Sequence, residues 1–251
     1  MGLAHRIIPV LLMRNGNLVK GKRFDSARIV GNIFQAAQIH QARGVDELIV
    51  LDVGATPNGQ GPNYSIIKEL TEKCFMPVTA GGGITNIDQV RKLLANGADK
   101  IIIGTAAYDE PGLIDKCAHK FGSQAVCVAV DALFDGYSWG LVTRCGKRQH
   151  FYSAVAFAKE MESRGAGEIM ITGIGNDGMM NGYDLGLIRK IAKEVGIPII
   201  ANGGCGSYEH MHRALKVGAS AVAAGAMFQW TDSTPREAAE YLAAKGWEIR
   251  L

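Results

Sequence analysis

The amino-acid sequence predicts a closed (β/α)8 barrel, a single α/β domain over residues 1–251. Three observations predict it. Short apolar runs alternate with amphipathic stretches of helical spacing, eight of each. Glycines stand where those stretches give way to the next apolar run. The pattern also repeats itself after 121 residues.

The elements follow in order. A first strand is expected over Ile7–Leu12, then a long loop, Met13–Arg28, and a helix over Ile29–Arg43. The second strand, Glu47–Asp52, leads to a helix over Tyr64–Cys74. Pro77–Ala80 pairs with Asn86–Ala95, and Lys100–Ile103 with Pro111–Phe121. The second half runs Ala125–Asp131 and Ser153–Arg164, then Glu168–Thr172 and Asp184–Val195. Pro198–Ala201 with Ser207–Val217, and Ala219–Ala224 with Thr234–Lys245, complete it. The strand runs are apolar throughout, as strands buried on both faces must be. Thr234-Pro235-Arg236-Glu237 is a capping box with proline at the first helical position. Gly44, Gly97, Gly165, Gly196 and Gly218 fit the left-handed residue that closes a helix. Residues 133–151 exceed an ordinary strand-to-helix loop, and their Asp135-Gly136 and Cys145-Gly146 pairs predict a β-hairpin insertion after the fifth strand.

Eight such units with short connections argue for a closed barrel. A doubly wound open sheet gives the same alternation and is the alternative. The repeat favours closure. Glu47–Asp52 matches Glu168–Gly173, Gly82 matches Gly203 and Gly104 matches Gly225, each pair 121 residues apart. Composition bias does not produce so long a fixed period. The half-repeats are about 1–121 and 122–251.

Composition excludes several classes. A net charge of +3 and 47% hydrophobic residues rule out a disordered chain. No Lys/Arg block marks a nucleic-acid surface. No apolar stretch is long enough to span a membrane, and Met1–Arg6 leads into no signal-peptide core. The five cysteines are scattered without metal-ligand spacing, as in a reduced, cytoplasmic protein. The six histidines are dispersed too, and His210 and His212 cannot share a helix face. No metal site and no cofactor are expected. The tryptophans, Trp139, Trp230 and Trp247, read as packing residues.

Glycine is the compositional excess, 32 residues, against an average near 7%. Many lie just past strand ends, where the active site of such a barrel sits. Gly82, Gly83, Gly104, Thr105, Gly203, Gly204, Gly225 and Ala226 form two repeat-related cradles whose backbone N–H groups suit phosphates. They point to a bis-phosphate or a similarly long anion; relief of crowding is the structural reading. Asp131 ends an apolar strand, where burial raises a carboxyl's pKa and fits it for acid–base work. Asp177 lies in the loop Gly175–Gly182, as turn former or catalytic group. Lys20 lies in the first loop, as a phosphate clamp or a solvated lysine. Asp52 ends the second strand. At the opposite strand ends, Arg6, Glu47, Lys100 and Glu168 would meet as a neutral ring, either a salt-bridge plug or a gate on a channel.

Arg6-Ile-Ile-Pro, Leu18-Val-Lys-Gly21, Gly81-Gly-Gly-Ile84, Gly97-Ala-Asp-Lys100, Phe121-Gly-Ser-Gln124, Gly165-Ala-Gly-Glu168, Asp177-Gly178 and Gly182-Tyr-Asp184 run in order. Together they resemble the cyclase subunit of imidazole glycerol phosphate synthase over essentially the whole chain. The resemblance implies a barrel whose N-terminal face docks a glutaminase subunit. Ammonia would cross the barrel to a phosphorylated ligand at the C-terminal face. It implies Arg6, Glu47, Lys100 and Glu168 as the ammonia gate, and Lys20, Asp131 and Asp177 as active-site groups. The family's other catalytic aspartate falls at Leu12, which cannot transfer a proton. Gly104, Gly175 and Ala226 likewise replace the family's Asn, Asp and Ser. These departures, with Pro62-Asn-Tyr64 and Cys74-Phe-Met-Pro77, resemble a divergent branch tied to surface-polysaccharide synthesis. That likeness implies ammonia supply to a sugar amidotransferase.

Overall fold

The chain closes on itself because its first strand finds its last. In the computed structural model, which describes residues 4–249, Arg6–Pro9 pair in parallel with Ala221–Ala224. Residues 1–3 and 250–251 of the expected domain lie outside the described residues.

In chain order the first half holds β1 (Arg6–Arg14), β2 (Asn17–Lys22), β3 (Asp25–Asn32) and α1 (Ile33–Ala42). Then come β4 (Leu48–Asp52), α2 (Tyr64–Lys73), β5 (Val78–Gly81), α3 (Ile87–Ala95), β6 (Lys100–Ile103), α4 (Thr105–Asp109) and α5 (Gly112–Phe121). The second half holds β7 (Val126–Phe134), β8 (Trp139–Thr143), β9 (Arg148–Ser153), α6 (Ala154–Ser163), β10 (Glu168–Gly173) and α7 (Leu185–Ala192). It ends with β11 (Ile199–Asn202), α8 (Tyr208–Lys216), β12 (Ala221–Ala224), α9 (Ala226–Trp230) and α10 (Pro235–Ala244).

The barrel order is β1, β4, β5, β6, β7, β10, β11, β12 and back to β1. The β7–β10 and β12–β1 pairings leave no free edge in this ring, which excludes the open sheet. Side chains alternate inward and outward along each strand. Ile8, Val10, Ile49, Ile102, Cys127, Met170, Ile200, Ala221 and Ala223 fill the barrel's interior. The outward set packs under the helices as a second, larger core.

One expected element is wrong. The helix predicted from Ile29 begins at Ile33, because Asn32 caps it, accepting from Phe34 N at 2.9 Å and Gln35 N at 3.2 Å. Residues 29–32 belong to β3, and the expected loop Met13–Arg28 is largely the antiparallel pair β2–β3. A second hairpin, β8–β9, grows from the end of β7. The two hairpins match: α1 and α6, which follow them, start at residues 33 and 154 and end at 42 and 163. Both turns carry consecutive left-handed non-glycine residues, Arg23 (φ 52°) and Phe24 (φ 62°) in one, Arg144 (φ 54°) and Cys145 (φ 53°) in the other. The tips meet, with the Phe24 ring against Gly146.

Candidate functional site

The two ends of the barrel carry different chemistry. At the N-terminal end Arg6 bridges two acids. Its guanidinium donates to Glu47 at 2.6 Å and also to Glu168. Lys100 Nζ faces both carboxylates from the other side, 3.4 Å from Glu47 and 3.3 Å from Glu168. Thr79 adds a hydroxyl to Glu47 Oε1 at 2.8 Å. Glu47 and Glu168 are buried, while Arg6 and Lys100 keep about a quarter of their side-chain surface. Two buried carboxylates are tolerable there because each has two cations. Directly above lie Ile8, Ile49, Ile102 and Cys127 of the apolar interior.

At the C-terminal end a cavity of about 690 Å³ opens. Its floor is Val10, Leu12, Leu51, Ile102, Ala129 and Met170. Its rim includes Gly82, Gly83, Gly104 and Thr105 on one side, and Gly203, Gly204, Gly225 and Ala226 on the other. Both glycine pairs are backbone necessities. At Gly82 (φ 107°) a Cβ would run into the Asp52 carbonyl, and at Gly204 (φ 94°) into that of Gly182. Gly104 and Gly225 stand at the starts of α4 and α9, whose first N–H groups have no side-chain cap, and both glycines line the rim.

Lys20 reaches the second cradle from β2. It is 7% exposed, and its ammonium lies 3.3 Å from the Val10 carbonyl, in the space a Cβ on Gly225 would need. Burial lowers its pKa to about 8, opposed by the nearby Asp177 carboxylate. Burial pushes Asp131 up to about 7, with the Thr172 hydroxyl working against the shift and Asp177 with it.

Asp177 does more than face Lys20. Its carbonyl accepts from Arg23 N at 2.9 Å, and the Phe24 N–H works against the rise of its carboxyl's pKa, so it clasps the tip of the first hairpin. Burial raises this carboxyl too. Thr105 serves the second hairpin likewise, its hydroxyl accepting from Arg144 N at 2.9 Å. Asp52 turns away from the floor and takes Gly54 N at 2.9 Å and Ala55 N at 3.1 Å. It is therefore no substitute for a carboxylate at Leu12. Gly175 has open space around it.

Thr172 and Asn202 escaped sequence reasoning. Both line the cavity. Asn202 Nδ2 donates to Thr172 Oγ1 at 3.1 Å, and Thr172 stands directly beside Asp131, where its hydroxyl holds the carboxyl's pKa down. The available signal was register, since these residues end neighbouring apolar strands. Cys145 also reaches the rim, with Sγ 3.6 Å from the Val53 carbonyl. Among the described residues no cluster of His, Cys, Asp or Glu could hold a metal. No helix among them is long and apolar enough to cross a membrane.

A family model described as histidine biosynthesis protein matches residues 6–233. The imidazole glycerol phosphate synthase subunit HisF of Thermococcus onnurineus is 38% identical over 249 residues, 99% of each chain. That of Dictyoglomus thermophilum is 41% identical over 250 residues, again 99% of each.

Proposed function

Since the chain belongs to the histidine biosynthesis protein family, as a HisF-like cyclase subunit of imidazole glycerol phosphate synthase, we propose that it carries ammonia from a glutaminase partner at its N-terminal face to a phosphorylated ligand at its C-terminal mouth. One observation carries this reading: the ring of Arg6, Glu47, Lys100 and Glu168 closes one end of an apolar interior whose other end is the floor of the cavity. Such an interior favours neutral ammonia, because an ammonium ion would lose several kcal/mol of hydration there. Arg6, Glu47, Lys100 and Glu168 then act as the gate. Lys20 and the N–H groups of Gly82, Gly83, Gly104, Thr105, Gly203, Gly204, Gly225 and Ala226 hold the ligand's phosphates. Asp131, half-protonated near neutrality, serves as acid and base where ammonia attacks.

The product we favour is an amidinated surface-polysaccharide sugar, made with a sugar amidotransferase that receives the ammonia. Leu12 supports this reading, because β1 offers no carboxylate beside the cavity floor to pair with Asp131, Asp52 is engaged by its own loop, and Asp177 is held against the first hairpin and Lys20. A genuine cyclase making imidazole glycerol phosphate is the second reading, supported by the family and by Asp131, Lys20 and Asp177. Turnover of the histidine-pathway ribonucleotide with saturating ammonium separates them: wild-type-like cyclase rates would overturn the amidination reading. Glutamine-dependent turnover should fall at least tenfold in Lys100→Glu while ammonium-dependent turnover persists. Unchanged coupling would leave the ring a structural plug. A non-catalytic activator of the glutaminase would bind no phosphate ester at the mouth, which calorimetry tests.

A further inference from the structure

We propose that Asn202 is a positioning residue for Asp131, holding the Thr172 hydroxyl on the carboxyl and so fixing how that carboxyl faces the cavity. Sheet register makes this possible. Asp131 on β7 lies directly beside Thr172 on β10, and Thr172 directly beside Asn202 on β11. All three line the cavity.

Donor accounting gives the line a direction. Threonine has one O–H donor and two acceptor lone pairs. Asn202 Nδ2 fills one lone pair at 3.1 Å, and an amide N–H accepts nothing in return. The Thr172 proton is thus kept from Asn202 and left for Asp131, its direct lateral neighbour, whose carboxyl the Thr172 hydroxyl holds down. Thr172 is buried, so its proton has no solvent to turn to. Without Asn202 the hydroxyl is free to rotate, and the carboxyl loses a fixed donor.

The other groups near this carboxyl are Asp177 from the loop after β10, Lys20 beside Asp177, and Cys145 from the second hairpin. Asp177 disfavours the charged carboxylate, so the Thr172 donor is the local group that favours it. The corresponding row in the first half, Leu12 on β1, Leu51 on β4 and Gly81 on β5, is joined by the same lateral pairings and has no polar side chain.

The inference rests on reading Asp131 as the mouth's acid–base group, but its test uses no turnover. The whole protein is labelled with carboxyl-13C aspartate, and the Asp131 signal, identified by its loss in Asp131→Asn, is titrated by NMR. Asn202→Ala should raise the Asp131 midpoint, with proton affinity up about tenfold, and Thr172→Val at least as much. The double variant should shift no further than Thr172→Val alone, because Asn202 acts through Thr172. Asn202→Leu keeps the volume without the donor and replaces Asn202→Ala if that variant does not fold. A midpoint unmoved by either Asn202 variant, or shifts that add in the double variant, would overturn the proposal. Failure of the proposed amidination chemistry would leave these titrations unchanged, so the two readings fail separately.

Discussion

The first half of the mouth and the second are built on the same backbone and carry opposite chemistry. Leu12, Leu51 and Gly81 sit side by side on β1, β4 and β5. Asp131, Thr172 and Asn202 sit side by side on β7, β10 and β11. The helices that follow the two hairpins start and end in step, and the hairpin turns share their backbone conformation. The difference teaches that this top layer is free of the barrel's packing. Outward residues under the helices hold the halves together, so inward residues at the mouth can be apolar on one side and hydrogen-bonded on the other.

The largest effect should come from breaking the polar half. Asp131→Asn removes the carboxyl and should lower ammonium-dependent turnover by about 10²-fold or more, whereas Leu12→Asn should change it little. Equal losses would mean that both halves hold the reacting group. A smaller effect follows from making the halves alike. Leu12→Asp puts a carboxyl against Leu51 and Val10 and should cost about 2 kcal/mol in chemical denaturation at neutral pH, less in acid. A neutral outcome would show that the apolar half is already wet.

Acidity sharpens the contrast further. Asp131 holds its proton to about pH 7 when folded and to its ordinary value near 4 when unfolded. The folded state therefore binds more protons between those values, and stability falls as pH rises through that window. Asp131→Asn should have a higher Tm than the parent at pH 8 and the same Tm at pH 4. Leu12→Asn should shift Tm alike at both. The smallest effect concerns the helix caps after the hairpins. Asn32 accepts two backbone N–H groups, at 2.9 and 3.2 Å, while its counterpart Ser153 accepts one at 3.4 Å. Asn32→Ala should cost about 1 kcal/mol by urea denaturation and Ser153→Ala less.

Much of the barrel was legible because its strands are short, apolar and punctuated by glycine. The first hairpin was not. Ile29, Ile33 and Ala37 lie at i, i+4 and i+8, spacings a helix could use, so Ile29–Asn32 read as its first turn, although Asn32 is a good cap. The repeat held the missing signal, for the hairpin expected at 133–151 shifts by 121 residues onto 12–30. The site was legible where a charge ended an apolar run, as at Asp131. Thr172 and Asn202 were missed because their meaning lies in lateral register, which no single strand contains. Asp177 was noticed as a charge in the mouth loop and Thr105 as part of a backbone cradle, while their grip on Arg23 and Arg144 depends on contacts distant in sequence.

The ring at the barrel's N-terminal end also bears on how the chain assembles. Three of its charges, Arg6, Glu47 and Lys100, belong to the first half of the chain, and only Glu168 to the second. A first-half fragment would therefore expose one positive charge in excess at this surface and a second-half fragment one negative charge. Neither can neutralise itself. When separately made fragments meet, these charges attract, and they do so in the orientation that brings Glu168 between Arg6 and Lys100. Head-to-tail pairing of two first halves would bring like charges together. The ring thus biases fragment complementation toward the native pairing.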